Sequence, residues 1–307
     1  MLSGDTIDFF PSAARDFQQK ESFLESQLNE TIKGVTFCGC KYVLRKNFST
    51  FIQLIRHLAV LGGKIFFIPR RDGLILSTYN STTYSYTRIF FDEGCFSEIS
   101  SSNEMEEEDG CCMSRNAALS AFKIPPEIAK ATESLTFDVE TSGDYMDLII
   151  VGPDKLRRYC KIELITFNNP RIKSEDFTRT NVFSFVSPIP LWKSVFTGKS
   201  NNHCQIVLEI QNESLIIRRK DPKTETLSRS KIVMNMKKFI EFEFQRPVKI
   251  SLSYHEFAIA YKISNLLSGF ISMEIVEGHV PIKFSLYQSQ SINFEMYCPG
   301  SIDDVTA

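Results

Sequence analysis

The chain has 307 residues, 43% of them hydrophobic, with 14 Gly and 12 Pro, enough apolar material for two ordinary domains or one large one, which excludes a disordered chain. Lys and Arg total 35 against 37 Asp and Glu, a formal net charge of −2, so an evenly basic, polyanion-binding surface is excluded and any basic face must be local. No stretch approaches the roughly eighteen uncharged apolar residues that span a bilayer, and the opening MLSGDTIDFF lacks the basic and apolar regions of a secretory signal, so the expectation is a nuclear or cytosolic protein with no membrane partner.

Residues 1–34 carry only a weak helical face (Phe17, Phe23, Leu24, Leu28) and read as an N-terminal extension, either a disordered arm or a segment packed on the folded body. A strand is expected at 35–39. Phe48, Phe51, Ile52, Ile55, Leu58 and Ala59 then recur at helical spacing, and Gly62 and Gly63 stop the helix. Strands follow at 64–69, 74–79 and 84–91, with Asp72 and Gly73 as a hairpin turn. The run EMEEED, Glu104 to Asp109, would repel itself in any packed element and reads as a solvated loop. It lacks the alternating oxygen ligands and tight Gly turn of a calcium loop.

A second helical pattern (Ala117, Ala118, Phe122, Ile128, Ala129) is interrupted by Pro125 and Pro126 and precedes strands at 135–140, 146–151 and 158–166. A polar run, NNPRIKSED from Asn168 to Asp176, separates the halves. Beyond it come a strand VFSFV, a short helix at 191–197 and strands at 205–210, 215–220 and 226–233. A helix at 236–244 follows, then strands at 248–254, 258–263, 270–276, 282–286 and 292–297. The recurring unit is one short helix on a strand meander. Its repetition predicts an α+β chain of two similar domains, each with two short helices on antiparallel sheets: 35–167 and 178–300, joined by a linker at 168–177 and followed by a short tail at 301–307.

Catalytic patterns are missing. The histidines are His57, His203, His255 and His279, and no two have the i, i+4 spacing that places two imidazoles on one helical face for a metal. Cys38 and Cys40, and Cys111 and Cys112, are the close cysteine pairs, and neither is joined to a second CxxC or His pair. No GxSxG, phosphate-binding Gly loop or dinucleotide fingerprint occurs. Cys–His catalysis stays open, because its partners meet in space rather than in sequence. The expectation is a non-enzyme without cofactor or metal. Trp192, beside Pro190 and Leu191, reads as a packing anchor.

The charge is segregated. The windows 41–61, 115–130, 190–199 and 235–246, which bear the predicted helices, hold 12 bases and 3 acids, or +9, so the remainder carries −11. That distribution suits a protein holding nucleic acid along one face through non-specific phosphate contacts. The candidates are Lys41, Arg45, Lys46, Arg56, Arg115, Lys123, Lys193, Lys199, Lys237 and Lys238. The bland alternative is that helix surfaces attract Lys and Arg regardless of function.

The stretch RDGLILSTYNSTTYSYTRIFF, residues 71 to 91, resembles the first-domain hairpin of the checkpoint DNA sliding clamp, the nine-one-one complex, and within it the Rad-nine-type subunit. Asp72, Gly73, Leu74, Leu76, Thr78, Asn80, Ser81, Tyr86, Phe90 and Phe91 carry the likeness. The helix and strand order is similar to the fold of proliferating cell nuclear antigen. The resemblance implies a ring of three different subunits, with helices lining a hole through which double-stranded DNA is threaded and sheets outside. It further implies a nuclear role in DNA-damage and replication-stress checkpoint signalling and repair, a separate clamp loader, and partner peptides received near the linker, with Ile172 and Phe177 as candidates. Rad-nine-type subunits often carry a long Ser/Thr-rich tail, whereas PGSIDDVTA ends this sequence, so tail-dependent signalling is in doubt. The competing readings are an interaction scaffold of the same fold without a DNA-facing role, and a metal-dependent nuclease.

Overall fold

The computed structural model describes residues 40–101, 110–125, 128, 131–139, 143–165, 181–196, 204–211, 214–221, 223, 224, 226–276, 282–286 and 291–304. The expected extension, the strand at 35–39, the acidic loop, the linker with Ile172 and Phe177, and Lys199 lie outside them. Gly39–Ala307 form one compact unit.

The first half begins with β1 (Cys40–Leu44), so Lys41 stands on a strand and not on the helix whose window included it. Helix α1 (Phe48–Leu61) buries Phe51, Ile52, Leu54, Ile55, Leu58, Ala59 and Leu61, the predicted face, and the Gly62 N–H closes it on the Leu58 carbonyl. Then come β2 (Lys64–Arg70), β3 (Gly73–Asn80) and β4 (Ser85–Asp92). Gly73 opens β3 with φ 154°, and a Cβ there would overlap the Phe91 carbonyl oxygen of β4; the expected Asp-Gly turn therefore also serves a close strand approach. Two unforeseen short strands follow, β5 (Glu98–Ser101) and β6 (Cys111–Ser114). Helix α2 (Arg115–Ala121) is capped by Ser114, whose side chain accepts the Ala117 N–H. Strands β7 (Ser134–Val139), β8 (Tyr145–Val151) and β9 (Arg157–Glu163) complete the half.

The second half runs β10 (Asn181–Pro188), a 3₁₀ turn (Ile189–Trp192) into the short α3 (Lys193–Phe196), β11 (Gln205–Gln211), β12 (Ser214–Lys220) and β13 (Leu227–Asn235). The helix expected at 236–244 is absent. Only Met236–Lys238 make a 3₁₀ turn, and Glu241–Phe244 form β14. The reason is in the sequence: Glu-Phe-Glu-Phe has the period of a strand, and Phe242 and Phe239 pack on the core. After β15 (Val248–Ser253), the expected strand at 258–263 is instead the middle of α4 (Tyr254–Leu267). Ser253 accepts the Glu256 N–H, capping the helix. Tyr254, Glu256, Phe257, Ala258, Ile259, Ala260, Ile263 and Ser264 are all buried, so the polar face that reveals a surface helix is largely missing. Strands β16 (Phe270–Val276), β17 (Ile282–Ser285) and β18 (Ile292–Cys298) follow. The segment running into the expected tail forms β19 (Gly300–Asp304).

The two halves repeat one topology. The sheets run β5-β1-β7-β8-β9, β14-β10-β16-β17-β18-β4-β3-β2-β6 and β13-β12-β11-β15-β19. Strand for strand, β1 to β9 are matched by β10 to β18. The order β5-β1-β7-β8-β9 recurs as β14-β10-β16-β17-β18, and β6-β2-β3-β4 recurs as β15-β11-β12-β13. Even the bridge from Ile165, after β9, to Cys112 on β6 is matched by β19 on β15. The central sheet exists because β18 of the second repeat pairs with β4 of the first, Ile292 opposite Phe91 through Tyr297 opposite Tyr86.

One core runs through both halves. In the first, Phe51 and Tyr42 stack on Phe137 at 5.4 and 5.3 Å; in the second, Trp192 stacks on Phe185 at 5.1 Å and meets Phe257 edge-on at 5.0 Å. Each such ring, fully buried, is worth about 1.5–3 kcal/mol in removed apolar surface. Trp192 is the packing anchor expected of it, and its indole N–H is satisfied by Ser187 Oγ at 2.6 Å.

Candidate nucleic-acid interface

The helices form a continuous layer: α1 touches α2 within the first repeat and α4 of the second, and α4 touches the turn that leads into α3. Among the described residues, α1 to α4 carry Arg56, Arg115, Lys193 and Lys262 against one acid, Glu256. That acid is 1% exposed and bonded to Thr83, so the solvent-facing charge described on these four helices is basic. Lys262 is exposed and was missed because its segment read as a strand.

The ten predicted bases divide. Arg45 and Lys46 are exposed in the approach to α1, Arg115 starts α2, Lys123 follows α2 and Lys193 starts α3, all exposed. Arg56 is half-buried, with Nη2 within 3.4 Å of both the Phe122 and Ile124 carbonyls, so it ties α1 to the chain leaving α2 and its charge is only partly available to a ligand. Lys41 lies on β1 in a 2.7 Å ion pair with Glu98, away from the helices. Lys237 and Lys238 are exposed in the turn between β13 and β14, not on the helix that motivated their choice. The described helices therefore carry fewer available bases than the +9 of the windows implied.

Between α1 and α4, burial, aided by the positive charge of Lys262, pushes the His57 imidazole below its ordinary value. His57 is thus biased to the neutral form on this face. His255 begins α4 and lines a cleft of about 800 Å³ between the β3–β4 turn and the start of α4, with Thr82, Thr83, Ser253 and Glu256. Thr83 Oγ1 donates to Glu256 Oε1 at 2.5 Å, a bond between the two repeats. The same junction carries Arg88 on Glu295 at 3.0 Å and stacked Tyr86 and Tyr297, ring centroids 6.4 Å apart.

Among the described residues no group of three His, Cys, Asp or Glu side chains could hold a metal ion. Burial pushes the Cys112 thiol up to about 11 and Cys95, with help from Asp92, to about 12. Cys111 and Cys298 are raised by burial as well, so these sulfurs are protonated, poor nucleophiles at neutral pH.

Neither a protein-family model nor a curated protein matches the sequence. Among solved structures, a chain of the PCNA2–PCNA3 complex from Sulfolobus tokodaii superposes with a TM-score of 0.63 at 14% identity, over 85% of this chain and 98% of that one. The fold is the clamp fold of proliferating cell nuclear antigen, as its two repeats of helices on large antiparallel sheets already suggest.

Proposed function

We propose that the chain is one subunit of a ring-shaped sliding clamp that encircles double-stranded DNA, and, at finer grain, a Rad-nine-type subunit of a nuclear checkpoint heterotrimer. The observation that carries the ring is an incomplete repeat. Inside the chain, β18 joins β4. Their counterparts in the other repeats, β9 and β13, each end a sheet with no neighbour strand among the described residues. If β9 of one subunit joins β13 of the next as β18 joins β4, the two outer sheets merge across the subunit boundary in the strand order of the central sheet, two edges are covered, and the head-to-tail contact is of the kind that closes into rings.

The helix layer supports the DNA-facing part, since its exposed charge is basic and non-specific phosphate contact needs nothing more. The hairpin of residues 71–91, which forms β3 and β4, supports the checkpoint assignment. A clamp loader and repair proteins belong to the same proposal, with Ile172 and Phe177 receiving partner peptides. The similar archaeal chain is paired with a second clamp protein, which favours a ring of unlike subunits. Co-purification from cells tests this: one copy of the chain with two different clamp-fold partners is expected, and a stable homotrimer would overturn the heteromeric assignment.

A further inference from the structure

The internal junction and the edge strands β9 and β13 differ in charge. Where β18 meets β4, Glu295 stands opposite Arg88, and their side chains pair at 3.0 Å. Opposite charges directly across a strand pair favour it, and like charges oppose it. Strand β9 carries Arg157, Arg158 and Lys161 against Glu163, and β13 carries Arg229 and Lys231 with no acid. Lys161 lies opposite Asp147 on β8. That carboxylate already accepts the Tyr159 hydroxyl at 2.5 Å, and the Lys161 ammonium sits 4.7 Å from the centre of the Tyr145 ring. On the other edge, Lys231 is directly opposite Arg218 of β12, a like-charge pair within one sheet. Arg218 Nε is buried with no hydrogen-bond partner among the described residues, a donor that needs an acceptor from elsewhere.

We propose that the edges β9 and β13 are built to receive strands bearing acidic side chains, and that they are charged against each other so that two copies do not join. The partner strand at β13 places a carboxylate against Lys231 and Arg218; the one at β9 places an acid opposite Lys161. This rests on the ring reading above and adds to it the chemistry of the neighbours. Basic edges on one subunit select unlike, acid-edged subunits by attraction and reject self-pairing by repulsion.

The chain itself supplies the probe. Arg157→Glu with Lys161→Glu makes β9 acidic while β13 stays basic, so that each copy becomes complementary to the next. Lys231→Glu with Arg229→Glu does the same from the other side. Sedimentation of the full chain should show little self-association for the natural protein and at least about tenfold tighter self-association for either single-edge variant. All four substitutions together should return it to the natural level, because the edges are again alike. Equal self-association of all four proteins, or a tight oligomer of the natural chain, would overturn the proposal. Retention of the cell-purified complex on closed circular DNA is read separately. If it is retained while the reversals have no effect, the edge-charge inference alone fails; if the reversals act as expected and no complex is retained, the ring reading fails and the edge chemistry stands.

Discussion

Thr83, in the turn between β3 and β4, donates its hydroxyl to the Glu256 carboxylate at 2.5 Å, binding a residue of the first repeat to the buried start of α4 in the second. Glu256 Oε2 has no partner among the described residues, so Thr83 is the one side-chain donor found for a carboxylate that is 1% exposed.

Replacing Thr83 by Val keeps the shape and removes that donor. A buried carboxylate stripped of its hydrogen bond costs about 2–3 kcal/mol, and Thr83→Ser, which keeps the hydroxyl, should cost under about 1 kcal/mol. Urea unfolding of the three proteins checks this, and a Val variant as stable as the natural chain would show that the bond contributes nothing.

His57 supplies a pH dependence. Its folded value is below the ordinary 6.5, through burial first and Lys262 second. Between the folded and unfolded values the unfolded chain binds more protons, so stability is full above about pH 6.5 and falls as the pH drops through the folded value. Lys262→Met removes the second cause and should move His57 partway back up. Imidazole titration by NMR measures both, and a His57 that titrates at or above 6.5 in the natural chain contradicts the assignment.

The helix layer predicts which bases matter for DNA. Changing Arg115, Lys193 and Lys262 together to Glu should weaken binding and reduce the slope of log affinity against log salt by about one for each phosphate no longer neutralised. Ala at Lys41, Lys237 and Lys238 should leave the slope unchanged, because these residues stand on a strand and in a strand turn. The reverse ranking would place the DNA on another face.

Gly73→Ala tests the hairpin. The φ of 154° and the overlap with the Phe91 carbonyl oxygen mean that strand β3 must move from β4, at a cost of about 2 kcal/mol or more. Thermal unfolding should show a lowered midpoint, and an unchanged one would mean that the hairpin relaxes freely.

Much of the fold was legible where one face of an element is wet. The stripe from Phe48 to Ala59 marks α1 because its other side, Ser49, Gln53 and Val60, is exposed. Helix α4 was hidden for the opposite reason: buried on most sides, Phe257 to Ile263 offer apolar residues in a run that fits either period. The start signal was present in Ser253 and Glu256, a capping pair three residues apart, and would have outweighed the strand reading. In the site, Arg115 and Lys193 were found because they sit on helices whose pattern is clear. Lys262 was missed with its helix, and Lys237 was included with a helix that does not form. The bond from Thr83 to Glu256 and the pairing of β18 with β4 join residues far apart in the chain, and no local spacing announces them.

Whether β9 and β13 close a ring around DNA is tested most directly by topological retention. The complex containing this chain, loaded on closed circular DNA, is washed at high salt before and after the circle is cut once. Retention on the closed circle and release on cutting are expected, because an encircling ring leaves only over an end. Equal loss from closed and cut DNA would contradict the ring.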